Sequence, residues 1–173
     1  MPKKIWSDLN NFAKLIPGYA LGEELVDHYI REKVEPVIGS IVYCNLGISP
    51  ALVEHSGIYI GNGQIVELQG KSKDGKIAIV NRRQFLKNRN LPPSTIWVAC
   101  YGDSTRPIGD KLVAKRAKAE VDTCRKYNLF SENCHRFTSG CITGNFKNND
   151  TKFWALRNTI HKQWGDHCWR AWQ

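Results

Sequence analysis

The stretch "EHSGIYIGNGQIVELQG", residues 54–70, constrains the fold more than any other part of the chain. Two apolar, β-branched runs flank Gly61-Asn62-Gly63. Such a tripeptide is a strong hairpin turn, because Gly and Asn accept the positive φ that tight turns demand. Further short runs of the same kind surround it: "IGSIVYCN" before, "KIAIV" and "STIWVAC" after, each bounded by Gly, Asn, Asp or Pro. About five antiparallel strands are therefore expected between residues 37 and 101.

The flanks carry a helical period instead. Ser7 caps an amphipathic helix that Pro17 halts, and "GEELVDHYIREK" has acids in its first turn and bases in its last. After Pro107, Val113, Ala117, Val121 and Cys124 form an apolar stripe at helical spacing. A helix follows at Ser131, and another in "DTKFWALRNTIHKQW", capped by Asp150 or Thr151 and stopped at Gly165. The pattern predicts one α+β domain over residues 1–173, with N-terminal helices in 1–35, the sheet in 37–101 and helices in 108–173.

At 173 residues and 42% hydrophobic, the chain is large enough for a core of its own. No apolar run approaches the ~20 residues of a membrane-spanning helix. "MPKKIWSDLNNFAKLI" starts basic but has neither an uninterrupted apolar stretch nor a small-residue cleavage site. The expectation is a chain made in the cytoplasm without a cleaved signal, any export being leaderless. The six cysteines include no CxxC pair, which argues against a zinc ribbon or a thioredoxin-type motif, and reduced thiols are expected. A net charge of +9 favours anionic partners such as phospholipid headgroups or cell-wall polymers. The basic residues are scattered and no nucleic-acid-binding motif is present, so no nucleic-acid partner is expected.

"SENCHRFTSG", residues 131–140, raises the chemistry. Ser131 as a cap puts Cys134 in the first turn of a helix, where unpaired backbone N–H groups favour the thiolate. A three-residue hairpin loop sets Gly57 opposite Glu67 and makes His55 and Glu67 diagonal neighbours on one face, roughly 7–8 Å apart at the backbone. A two-residue loop sends them to opposite faces. A carboxylate beside an imidazole orients the ring and raises its pKa, so the ring can hold a proton taken from a thiol. Cys134, His55 and Glu67 are thus a candidate nucleophile, base and orienting acid. Taken singly, His55 also reads as a strand-end histidine and Glu67 as a solvent-facing acid. His135 competes for the role of base, but at i+1 on a helix it points away from Cys134.

"HSGIYIGNGQIVEL" followed by "NCHRF" resembles the lecithin:retinol acyltransferase-like group, circularly permuted papain-like proteins related to the NlpC-type cell-wall cysteine peptidases. The resemblance runs from Val37 to Ile142. It implies a permuted papain-like fold with the nucleophile at a helix N-terminus. It also implies thiol-dependent hydrolysis or transfer of an ester or amide acyl group through a Cys134 thioester, without metal or cofactor. The Cys134 backbone N–H is then an oxyanion donor, with Tyr43 as candidate second donor. Animal lipid acyltransferases of the group usually carry a second His where this chain has Glu67. An acid there is common in bacterial relatives, so the chain looks closer to those. His135-Arg136 replaces the usual Glu-His before Phe, so the animal substrates are not carried over.

The partner that the resemblance implies is an acyl lipid or a peptidoglycan-derived peptide. "FWALRNTIHKQWGDHCWRAWQ" holds four of the six tryptophans among basic residues. That is the composition of a membrane-surface contact, and equally of a last helix packing its aromatics on the sheet. His161, His167 and Cys168 fit no standard metal spacing and read as surface residues. A non-catalytic lipid- or wall-binding module on the same fold is the alternative to an enzyme.

Overall fold

The computed structural model describes residues 33–45, 54–71, 74–86, 95–128 and 133–173. The architecture is α+β, built on one antiparallel sheet. Its strands are β1 (Ile41–Asn45), β2 (Glu54–Gly61), β3 (Gln64–Lys71), β4 (Asp74–Asn81), β5 (Trp97–Tyr101), β6 (Cys124–Lys126) and β7 (His167–Ala171), in the order β6-β4-β3-β2-β1-β5-β7. The helices are α1 (Arg82–Phe85), α2 (Lys111–Ala119), α3 (Cys134–Thr143) and α4 (Phe153–Trp164).

Among the described residues seven strands stand where about five were expected, because both edge strands come from the segment read as helical. The stripe through Val121 and Cys124 overran α2. That helix is capped at Glu120, Asp122 takes a φ of 67°, and Cys124 pairs with Lys76. Gly165, at φ 82°, stops α4 as expected, but the chain then runs on as a strand along β5 with Trp169 and Ala171 turned inward. The α4 cap is Lys152 rather than Asp150 or Thr151; the Asp150 carboxylate instead accepts from the Thr159 hydroxyl at 2.5 Å. The helices expected in 1–35 fall almost wholly outside the described residues, and at their end Val34 bridges to Trp172 instead of turning. No helix among the described residues is long and apolar enough to cross a membrane.

The central strands are buried on both faces, which is why they read as nearly continuous apolar runs. Ile41, Ile58, Val66, Ile77 and Trp97 meet α2, α3 and α4 through Val113, Phe137, Cys141, Leu156 and Ile160. Val42, Cys44, Ile65, Val80 and Val98 face the other way, toward Phe85 of α1, Val34 and Trp172. The strand period of two therefore gives each residue of β2 and β3 one of two layers.

The β2–β3 hairpin sets the register of the site. Asn62 and Gly63 form a two-residue loop with both φ positive, at 53° and 70°, so Gly61 pairs with Gln64. Left alone, that loop would separate His55 and Glu67. An irregularity between Tyr59 and Gly61 absorbs one extra residue, with Gly61 at φ 101°, and Gly57 still faces Glu67. The expected register is present, reached by a two-residue loop plus a bulge rather than by a three-residue loop.

The C-terminal tryptophans divide between core and surface. Trp169 and Trp172 are buried, Trp164 is half-buried and Trp154 is 67% exposed.

Candidate active site

Helix α3 begins at Cys134 itself. Its cap is Asn133, whose side-chain oxygen accepts from the N–H groups of His135 and Arg136 at 3.1 and 3.2 Å. The Asn133 amide donates to the Thr151 carbonyl at 2.7 Å, tying the cap to the approach of α4. The cap is thus not Ser131, which lies outside the described residues. Cys134 nevertheless occupies the first turn, where the positive end of the helix dipole favours a thiolate.

His55 and Glu67 share the face turned away from the helical layer. His55 Nε2 lies 2.5 Å from Glu67 Oε2, with the two side chains 3% and 0% exposed. The Gln69 amide donates to the other carboxylate oxygen at 2.9 Å. The imidazole rests against the Phe85 ring, centroids 4.9 Å apart. Glycine at 57 permits this packing: a Cβ there would meet Ile65 and the Val66 carbonyl at 2.8 Å and Phe85 at 3.0 Å.

Cys134 comes from the opposite layer and meets His55 at the start of β2, where Sγ is 4.0 Å from the Glu54 carbonyl oxygen. Burial by itself would lower the His55 pKa. The charge of Cys134, its hydrogen bond to the imidazole, and the bond and charge of Glu67 together raise it above the ordinary value. With Nε2 engaged by Glu67, Nδ1 is the nitrogen left for the thiol. The arrangement can hold a thiolate–imidazolium pair in a site that excludes water.

His135 lies on the other side of β2 from His55. Its Nδ1 is 2.9 Å from the Ser56 hydroxyl, which also bonds Thr138 at 3.0 Å. Burial, aided by the positive charge of His55, pushes its pKa down to about 4. His135 is therefore a neutral hydrogen-bonding group between α3 and β2. Tyr43 pairs with Ser56 across β1 and β2, and its ring packs 4.6 Å from both Phe153 and Trp169. No group of three or more His, Cys, Asp or Glu among the described residues is arranged to hold a metal ion.

Sequence reasoning missed Asn133, Ser56, Thr138, Gln69 and Phe85. Two had local signals. Asn133 is a preferred cap immediately before Cys134, and Gln69, two residues beyond Glu67, shares its face. Ser56 and Thr138 meet across α3 and β2, and Phe85 belongs to a helix of one turn, so neither contact has a periodic signature.

A scan against protein families matches the lecithin retinol acyltransferase model over residues 35–147, a span that contains the hairpin, the cap and all three candidate residues. A search of curated proteins found none that matches. The family model covers well over half of the chain: this protein belongs to the lecithin retinol acyltransferase family.

Proposed function

We propose that the chain is a thiol-dependent acyl hydrolase or acyltransferase that takes its acyl group from a lipid ester. The observation that carries the reading is the buried His55–Glu67 pair at 2.5 Å, with Cys134 hydrogen-bonded to the same imidazole. The Cys134 thiolate attacks the ester carbonyl carbon, and the carbonyl electrons move onto oxygen. The Cys134 backbone N–H, at the head of α3, donates to that oxyanion, with Tyr43 as candidate second donor. As the tetrahedral species collapses, the His55 imidazolium protonates the departing alkoxide, leaving an acyl-thioester on Cys134. His55 then takes a proton from water or an acceptor alcohol or amine, which attacks the thioester, and the thiolate leaves. Glu67 holds the ring and stabilises its charged form throughout.

Membership in an acyltransferase family supports a lipid donor. A peptide amide of a bacterial cell wall is the second reading, favoured by a carboxylate at Glu67 in the place of a second histidine. Turnover on phospholipid vesicles and on muropeptides, followed by mass spectrometry for the wild type and Cys134→Ala, tests both. Cys134-dependent release of fatty acid or lysolipid supports the lipid reading, and Cys134-dependent peptide cleavage replaces it with the second. Binding to either panel with no turnover of it by the wild type would make the chain a non-catalytic module.

A further inference from the structure

Outside the Cys134 site, a cleft of about 370 Å³ lies between α4 and the start of β7, lined by Trp154, Arg157, Asn158, His161, Asp166 and His167. The helix supplies the first four at i, i+3, i+4 and i+7, which is one face. The turn at Gly165, with φ 82°, brings the last two up against them. Trp154 is the most exposed large apolar side chain among the described residues, yet its neighbours in the cleft are all polar.

The hydrogen-bonding inventory restricts the occupant. Arg157 offers only donors, Asn158 offers both kinds, and Asp166 offers only acceptors. His161 Nδ1 is 3.4 Å from Asp166 Oδ1 at the exposed rim. The His167 ring donates to the Gly165 carbonyl, and its Nε2 is buried with no partner among the described residues. Burial, followed by the charge of Arg157, lowers the His167 pKa, so the ring is held neutral and Nε2 is an acceptor. An inorganic anion satisfies Arg157 but meets the Asp166 carboxylate, which requires donors. A metal cation satisfies that carboxylate but meets the Arg157 guanidinium. Hydroxyl groups both donate and accept, and a ring of them has a flat C–H face for the open indole.

We infer that the α4–β7 cleft is a binding site for a polyhydroxylated ring, a sugar or a cyclitol, stacked on Trp154 and hydrogen-bonded by Arg157, Asn158 and Asp166. Such a ring comes either from a free glycan or from a lipid headgroup. The site stands apart from the proposed acyl chemistry and would survive its failure.

The test uses the full chain carrying Cys134→Ala, so that nothing is turned over. Tryptophan fluorescence is titrated with N-acetylglucosamine trisaccharide, with myo-inositol, with phosphatidylcholine vesicles with and without phosphatidylinositol, and with inorganic phosphate. The expected result is a saturable change with a ring-bearing probe that is absent in Trp154→Ala. Asn158→Ala and Asp166→Ala should each weaken it by about tenfold. A response to the free trisaccharide or free inositol supports the inference with a soluble source. A response confined to phosphatidylinositol vesicles supports it with a lipid source. All these side chains are exposed, so the variants should fold, and unchanged thermal melting verifies that. An equal response to phosphate, a response retained in Trp154→Ala, or no saturable response to any probe overturns the inference.

Discussion

The three candidate residues have different neighbours, and those neighbours decide what each can do. Cys134 is the only cysteine among the described residues that begins a helix and touches an imidazole. Cys141 has its pKa pushed up by burial, and Cys100 is pushed up to about 12, chiefly by burial. Iodoacetamide near pH 6 should therefore alkylate Cys134 ahead of the other cysteines, as peptide mass spectrometry would read. Glu67→Gln and His55→Ala should each slow the labelling, by about tenfold or more; equal labelling of all sites would remove the activated thiolate. The His55 pKa is raised, so its proton is retained through pH 6.5 and lost only as pH climbs past the higher folded value. The imidazolium half of the pair is thus lost on the alkaline side, where Cys134 should lose its labelling advantage over the other thiols. His135 has the opposite sign. Its folded pKa of about 4 lies below the ordinary 6.5, so between those values the unfolded chain binds more protons. Stability supplied by neutral His135 is full above pH 6.5 and lost as pH falls toward 4, at most about 3 kcal/mol. His135→Gln should flatten the acid limb of thermal melting while leaving the alkaline limit of Cys134 labelling in place. The meeting of His55 with Glu67 was legible in the sequence because spacing around a Gly-rich turn limits which faces can meet. The neutral state of His135 was not legible, since it comes from burial beneath α3 and from a charged ring on a distant strand.

At the scale of the element, the start of α3 is where local sequence and long-range contact combine. Asn133 accepts from two N–H groups of the first turn and donates to the Thr151 carbonyl, so one side chain caps α3 and anchors the approach of α4. Asn133→Ala should cost about 1 kcal/mol from the lost cap. Asn133→Asp retains the cap acceptor but removes the donor and sets a negative charge beside Cys134. The Asp variant should melt closer to wild type than the Ala variant, yet label more slowly with iodoacetamide. If labelling followed stability across the two variants, the cap would be structural alone. The hairpin shows how far local reading reaches. Gly-Asn-Gly identifies a turn, but loop length and bulge are separate facts, and only the fit of Ile58, Ile60, Val66 and Leu68 into one core selects the pair that occurs. The helix stops at Glu120 and Gly165 were half legible. Glycine announced the second, whereas the first depends on Cys124 finding a place beside Lys76.

Across the whole molecule, the C-terminal strand is part of the wall behind the proposed site. β7 pairs with β5 and continues into Trp172, whose N–H bonds the Ile96 carbonyl at 2.8 Å. The Trp172 indole donates to Glu35 at 2.9 Å, packs 5.2 Å from Tyr59 and lies under the Arg82 guanidinium at 4.4 Å. Arg82 opens α1, the one-turn helix that presses Phe85 on His55. The sequence alone offered Trp169 and Trp172 as membrane-facing or sheet-packed. The choice is made by strand pairing between segments some seventy residues apart, a contact with no signature in local period. Trp172 is 6% exposed, and its replacement by Ala should cost about 3–5 kcal/mol, lowering the melting temperature by about 10 °C. If the support of His55 runs through Arg82 and Phe85, Trp172→Ala should also slow Cys134 alkylation well below its melting temperature, and Trp172→Phe should restore most of the rate. Phe85→Leu should produce the same slowing without the large loss of stability. A Trp172→Ala protein that melts early but labels at the wild-type rate would confine the strand to stability and sever it from the site.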